Sequence, residues 1–113
     1  MTCVLPEFYK EKLVTARKPH TCCETGRTIE AGQQYWRCEG RWEYGFASYI
    51  QTVEAYHFAR WLNHNYFGSW ECTVGFECVR DAVLESRDPD LAERWDRVMS
   101  GRPHSDDPKE AAR

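Results

Sequence analysis

The residues of this chain that could bind a metal are histidines and cysteines in its first half. They are His20, Cys22, Cys23, Cys38 and His57. Structural zinc requires four imidazole or thiolate donors in a tetrahedron. Adjacent cysteines rarely both point at one ion, and the six cysteines of the chain form no C-x-x-C pair. The spacing therefore favours no metal and no cofactor, with a rebuilt zinc site at His20, Cys22, Cys23 and His57 as the alternative.

The same residues could serve a thiol enzyme, in which a histidine activates a cysteine thiolate. His20 lies two residues before Cys22, and His57 could approach it in space. No acidic residue stands out as the group that would orient the histidine. We therefore expect a protein without catalytic activity, and a zinc- or thiol-dependent enzyme remains as an alternative.

A second set of residues combines cations with aromatic rings. The candidate binding residues are Lys18, Arg27, Arg37, Arg41, Trp42 and Tyr44, and Lys10 and Lys12 precede them. Such a surface suits phosphate contact and base stacking, so a nucleic-acid-binding accessory factor is one interpretation. Glutamates such as Glu30 and Glu43 are interspersed among the cations. An ordinary mixed surface is the alternative.

Aromatic residues make up 14% of the chain, more than one small core easily hides. Those that are not buried would lie at the surface, where Trp and Tyr are preferred anchors of protein interfaces. The surplus of aromatic residues therefore favours a module that binds a protein partner. Contact between two copies in a homodimer would also cover exposed aromatic residues. A core unusually rich in aromatic rings is the other interpretation.

Length and charge narrow the class of protein further. At 113 residues the chain is expected to form one domain that buries a core without depending on metal or disulfides. Its net charge of −3 lacks the basic excess of a general nucleic-acid binder. It shows neither a signal peptide nor an apolar run of membrane-spanning length. We therefore expect a cytoplasmic protein without membrane contact, whose cysteines are reduced.

Turn-forming residues and the period of the hydrophobic positions predict the strands, turns and helices that carry these residues. The pattern predicts a turn over Cys22 to Arg27, strands over about 33–39 and 46–51, and a loop over 40–45. The segment before residue 16 reads as a helical turn or an extended arm. Thr52 is a possible N-cap of a helix that ends near His64.

Two further helices are predicted in the second half of the chain. Ser69 could cap the first, whose apolar face would comprise Cys72, Phe76, Val79 and Val83. Asp88 followed by Pro89 marks the start of the second, with Leu91, Trp95 and Val98 on one face and an end near residue 101. We expect a single domain over 1–101, a mobile tail over 102–113, and solvent-facing positions for His64, His104 and Arg94.

Residues 6–60 follow a spaced pattern of turn glycines, aromatic residues and one cysteine. The retained residues are Pro6, Glu7, Phe8, Tyr9, Ala16, Arg17, Lys18, Pro19, His20, Cys22, Gly26, Thr28, Ile29, Gly32, Tyr35, Gly40, Trp42, Phe46, Tyr49, Thr52 and Arg60. This pattern resembles small bacterial and phage proteins with a treble-clef-like zinc finger. The sequence motifs that those proteins share are A-R-K-x-H-x-C-x-x-C-G-x-T-I, a W-x-G-x-F hairpin, and T-C-x-x-C on a helix.

The resemblance implies four zinc-ligand positions, which fall on Cys22, Thr25, Val53 and Tyr56 in this sequence. Only Cys22 is a ligand type, so the resemblance implies a degenerate site. Val53 and Tyr56 lie three residues apart on one helical face, and we expect them to pack where the metal would sit.

The predicted fold class is α+β, with a treble-clef-like knuckle, a β-hairpin and a helix, followed by two C-terminal helices. The predicted function is a non-enzymatic protein-binding module that occupies a surface of a host macromolecular complex. The families it resembles suggest that it is encoded by a phage or mobile element, including an anti-CRISPR-type inhibitor of host defence.

Overall fold

A computed structural model of the chain describes residues 8–42, 45–67 and 77–111. Its strands are β1 (Phe8–Thr15), β2 (His20–Thr21), β3 (Thr28–Ile29), β4 (Gln34–Trp42) and β5 (Gly45–Thr52). Its helices are α1 (Val53–Trp61), α2 (Val79–Ser86), α3 (Pro89–Met99) and α4 (Pro108–Ala111), and a π-helical stretch (Leu62–Phe67) follows α1. The predicted α+β class is confirmed.

Strands β1, β4 and β5 form an antiparallel sheet with β4 in the middle. The extended interpretation of the N-terminal segment is therefore correct, because Phe8–Thr15 pairs along β4. The predicted loop over 40–45 is wrong. Pairing continues to Trp42 opposite Gly45, whose φ of +123° requires glycine, so the paired part of the hairpin is longer than expected.

Strands β2 and β3 enclose the predicted turn, and residues 20–29 are called the knuckle below. The Cys22 N–H donates to the Arg27 carbonyl at 2.9 Å, and the Gly26 N–H donates to the Cys22 carbonyl at 3.0 Å. Gly26 has a φ of +74°, which glycine adopts without steric cost. The Cys23 N–H donates to the Ile50 carbonyl at 2.8 Å and so fastens the knuckle to β5.

Helix α1 begins where the sequence predicts, because Thr52 caps it. The Thr52 hydroxyl accepts a hydrogen bond from the Ala55 N–H at 3.2 Å, which satisfies one of the free donors of the first turn. The α-helix ends at Trp61, so the predicted end at His64 falls inside the π-helical stretch. His64 is exposed, as expected.

The two C-terminal helices are confirmed, and the second of them starts where the sequence predicts. Asp88 caps α3 by accepting from the Asp90 N–H at 2.9 Å, and Pro89 occupies the first helical position, as predicted. The predicted apolar face of α3 is buried, namely Leu91, Trp95 and Val98. Helix α2 begins only at Val79, and the predicted cap Ser69 and the residues Cys72 and Phe76 lie outside the described part of the chain.

The core lies between the knuckle, α1, α2 and α3. Phe58 and Leu62 are completely buried at its centre, with Ile29 of the knuckle and Val79 of α2 beside them. In the described ranges no helix has the length and apolar character that crossing a membrane would require.

Residues 102–111, which lie in the segment expected to be a mobile tail, pack against α1 and α3. His104, expected in solvent, is only 1% exposed and lies against the rings of Phe58 and Trp61. Arg94, expected on the wet side of α3, stacks on Trp61 with its guanidinium 4.0 Å from the ring centroid. The segment has no apolar period because it packs through one imidazole and charged hydrogen bonds rather than through an apolar face.

Replacing the cap of α1 tests how the helix start is fixed. We expect Thr52→Ala to lower the free energy of unfolding by about 0.5–2 kcal/mol, since the Ala55 N–H loses its acceptor. Urea denaturation measures the change. Thr21→Ala, at an exposed strand position of the knuckle, is the control and should cost no more than about 0.5 kcal/mol. Equal losses in the two variants would contradict the capping role.

Candidate interaction surface

Cys22 stands at the junction of the knuckle and the start of α1. Its sulfur accepts from the Thr52 N–H at 3.4 Å and lies 3.9 Å from the Thr52 hydroxyl. The side chain is 1% exposed. The residue that retains a ligand type thus makes a direct contact between the knuckle and the helix cap, the two elements that a shared metal would join.

Two of the other three positions implied by the resemblance make contacts elsewhere. The Thr25 hydroxyl accepts from the Arg27 N–H at 3.2 Å within the turn, and Val53 is half-buried. Tyr56 is buried, but its ring stacks on Trp36 of β4, with centroids 4.0 Å apart. The structure therefore places Thr52 at the Cys22 sulfur and uses Tyr56 against the sheet.

The residues of the alternative zinc site are dispersed. The His20 ring lies 5.0 Å from that of Tyr35, and the His57 ring lies edge-on to Tyr56 at 5.4 Å. The Cys23 sulfur lies 4.0 Å from a Glu24 carboxylate oxygen. Within residues 8–42, 45–67 and 77–111, no group of three or more His, Cys, Asp or Glu residues is placed to hold a metal ion.

The thiols of Cys23 and Cys38 are held in their neutral form. Burial, followed by the nearby Glu24 carboxylate, raises the pKa of the Cys23 thiol well above its usual range. Burial also raises the pKa of Cys38 to about 11, and its sulfur lies 3.8 Å from the Gln51 side-chain oxygen. A nucleophilic cysteine needs a lowered pKa, so these environments oppose thiolate chemistry at neutral pH.

Glu24 is a buried cap for a distant helix. Its carboxylate accepts from the Glu77 N–H at 3.0 Å and the Val79 N–H at 3.4 Å. The N-cap residue of α2, Cys78, makes no side-chain capping hydrogen bond. Because the knuckle residue and the helix are more than fifty residues apart, no local capping pattern in the sequence could reveal this contact.

One face of the sheet carries a cluster of exposed cations, and we call it the basic face. Strand alternation and register place these residues on it: Lys10, Lys12, Arg37, Glu39, Arg41, Phe46 and Ser48. Glu39 lies at the centre of the cluster and pairs with Lys10 at 3.6 Å and with Arg37 at 2.7 Å. Among the described residues of this face, four cations stand against one carboxylate, whereas the whole chain carries −3.

Phe46 gives the basic face an apolar component. Its side chain is 65% exposed, and it lies directly opposite Arg41 in the register of β4 and β5. Sequence reasoning missed Phe46, although the period-2 alternation of Lys10 and Lys12 with the hairpin residues could have grouped it with the cations.

The predicted binding residues divide into four groups. Arg37 and Arg41 share the basic face, whereas Lys18 lies in the exposed turn between β1 and β2. Arg27 has a structural role, because its guanidinium donates to the Met99 carbonyl at 3.0 Å. It packs so closely on Gly101 that a β-carbon there would lie 2.7 Å from a guanidinium nitrogen. The side chain of Trp42 and the whole of Tyr44 lie outside the described part of the structure.

Comparisons with protein-family models, with curated proteins and with solved structures found no match. The likeness to treble-clef-like zinc-finger proteins therefore stays a prediction from the sequence. What the structure contributes is the observed order of knuckle, hairpin and helix.

The buried Glu24 predicts a pH dependence of stability. Burial raises the pKa of this carboxyl, opposed by its backbone hydrogen bonds from Glu77 and Val79. The folded state then binds the proton more tightly than the unfolded chain, so this group's contribution to stability falls as pH rises above about 4.5 and levels off above the folded pKa.

We expect the unfolding free energy of the wild type minus that of Glu24→Gln to decrease as pH rises from about 4.5 towards the folded pKa of Glu24. The slope is at most about 1.4 kcal/mol per pH unit, and urea denaturation at several pH values measures it. Glu30→Gln changes an exposed carboxylate next to β3 and is the control. A difference for Glu24→Gln that does not vary with pH would contradict the assignment.

Proposed function

We propose that this protein is a non-enzymatic binding module that docks on an acidic protein surface through its basic face. The observation that carries the proposal is the cluster of exposed cations around Glu39 in a chain that is acidic overall. Complementary charge steers encounter and selects partners. The exposed Phe46 supplies the apolar contact that charged groups alone do not provide.

The position of Glu39 favours a protein partner over a nucleic acid. This carboxylate sits in the middle of the face, on the central strand, with a side chain that is 19% exposed. It would repel a continuous line of phosphates, whereas a protein surface can place a donor opposite it. The charge pattern therefore fits a patterned acidic protein surface.

The identity of the target remains a proposal from the sequence alone. The resemblance to phage and bacterial proteins suggests a surface of a host macromolecular complex, and an inhibitor of host defence such as an anti-CRISPR-type blocker. A cytoplasmic location, that of the host cell for a phage-encoded protein, belongs to the same proposal. A homodimer remains an alternative use of the aromatic surplus.

Charge reversal on the basic face tests the proposal. A fluorescent peptide of alternating glutamate and valine, about 20 residues long, serves as the acidic probe. We expect Lys12→Glu combined with Arg41→Glu to weaken its binding at least tenfold, or about 1.4 kcal/mol, in anisotropy titrations at low salt. Both side chains are exposed, so unfolding by urea should change little.

The matched control is Arg80→Glu combined with Arg102→Glu, which makes the same charge change at exposed positions away from the sheet. It should leave binding within about twofold. Equal weakening by both double variants would show that net charge alone attracts the probe and would refute the basic face as the binding surface. On sequence grounds we also expect Trp42→Ala and Tyr44→Ala to weaken binding while the fold survives.

A nucleic-acid-binding accessory factor is the second candidate, favoured by Phe46 lying opposite Arg41. An exposed ring beside a cation can stack on a base while the cation contacts phosphate. Lys18 in the turn between β1 and β2 could add a further phosphate contact. Arg27 does not contribute to this surface, since it bonds to Met99.

Salt dependence distinguishes the two candidates. If four cations contact phosphates, affinity for a 20-nucleotide oligothymidylate should fall about fiftyfold between 50 and 200 mM salt. Filter binding measures this dependence. Such a slope, together with no binding of the acidic peptide, would replace the protein-binding proposal. No retention of the oligonucleotide at 50 mM salt would remove the nucleic-acid candidate.

A further inference from the structure

We propose that residues 102–111 form a pH-operated latch, closed over α1 and α3 while His104 is neutral and opened when His104 binds a proton. This device lies away from the basic face and is independent of the proposed function. It rests on the way both ring nitrogens of His104 are occupied.

The neighbours of His104 fix its tautomer. Its Nδ1 lies 3.1 Å from the Arg94 guanidinium, and its Nε2 lies 2.9 Å from the Glu110 carbonyl oxygen. A guanidinium can only donate and a carbonyl can only accept. The Nδ1 lone pair must therefore accept from Arg94, and the Nε2–H must donate to Glu110. The ring is neutral in the closed state.

Protonation of His104 breaks this arrangement. A proton on Nδ1 would face the N–H group of Arg94, so a hydrogen bond becomes a contact between two donors that carry like charge. The ring cannot turn towards water, because it is buried against Phe58 and Trp61 at centroid distances of 5.5 and 5.3 Å. Relief requires movement of the segment that carries His104.

Arg94 is held in place and cannot withdraw from the imidazolium. Its side chain is 15% exposed, lies over Trp61, and pairs with Asp90 at 3.0 Å. It also lies 3.5 Å from the Glu110 carboxylate. Because Arg94 and Trp61 belong to the core helices, the C-terminal segment is the part that is free to move.

The charged groups that face His104 come from every element packed against it. Burial lowers the pKa of His104, and Arg94 of α3 and His57 of α1 lower it further, whereas Glu110 of α4 opposes them. Glu110 is engaged by Ser105 at 2.7 Å and by the Trp61 indole N–H at 3.2 Å. Asp106 pairs with Arg97 at 3.0 Å and fastens the middle of the segment.

The sign of the pH response follows from these shifts. A histidine whose pKa is lower in the closed state stabilises closure above its ordinary value of 6.5, and this contribution is lost as pH falls from there towards the closed-state pKa. The pKa values of Glu110 and Asp106 are also lowered, chiefly by hydrogen bonds from Ser105 and Arg97, respectively. Protonation of these carboxylates also destabilises the closed state, but only below their ordinary pKa values of 4.5 and 3.8. His104 therefore responds first on acidification.

Hydrogen–deuterium exchange of the full chain at pH 7.5 and pH 5.5 tests the latch. After correction for intrinsic exchange, the opening constant of amides 104–111 should rise by up to about tenfold at the lower pH. Amides of β4 should not respond. His104→Asn keeps an acceptor towards Arg94 but cannot titrate, so its segment should exchange with the same opening constant at both values.

The control variant is His64→Asn, which removes an exposed histidine and should leave the wild-type response intact. A wild-type change of less than twofold, or an equal change in His104→Asn, would overturn the proposal. Imidazole ¹⁵N shifts of the wild type at pH 7.5 give a second test that needs no variant. They should show the Nε2–H tautomer for His104, and the Nδ1–H tautomer would also overturn it.

Discussion

The fold depends on how the knuckle is fastened to the rest of the chain. Cys22 contacts the cap of α1, the Cys23 N–H bonds to β5, Glu24 caps α2, and Arg27 bonds to the end of α3. Each contact joins the knuckle to a different element. The core of Phe58, Leu62 and their neighbours then fills the space that these contacts enclose.

In a small zinc finger one bound ion joins the knuckle to the rest of the fold, whereas in this chain several separate contacts join it to different elements. A structural zinc contributes roughly 10–16 kcal/mol to folding from one point, whereas individual hydrogen bonds contribute about 0.5–1.5 kcal/mol each. The knuckle contacts alone are therefore too weak to stabilise the fold as much as a structural zinc would. Burial of the aromatic and aliphatic core must supply most of the stability. That explains why the knuckle sits against three helices rather than projecting from one hairpin.

The elements that are encoded locally could be predicted from the sequence, and those fixed by distant contacts could not. Thr52 and Asp88 cap helices through neighbouring amides, so their residue types alone identified the helix starts. Glu24 and Arg27 act on residues more than fifty positions away, and His104 is buried against the distant rings of Phe58 and Trp61. On the candidate surface, Arg37 and Arg41 were grouped with Lys10 and Lys12 from the sequence, but the place of Phe46 beside them depends on strand register.

The exposed Phe46 has a consequence for the behaviour of the protein in concentrated solution. It lies on β5, at one edge of the three-stranded sheet, and exposed apolar edge strands promote pairing between copies and aggregation. Arg41 lies directly opposite it on the neighbouring strand, so two copies approaching edge to edge would bring like charges together. Arg41 therefore also acts as a gatekeeper residue, which opposes association between copies along this edge.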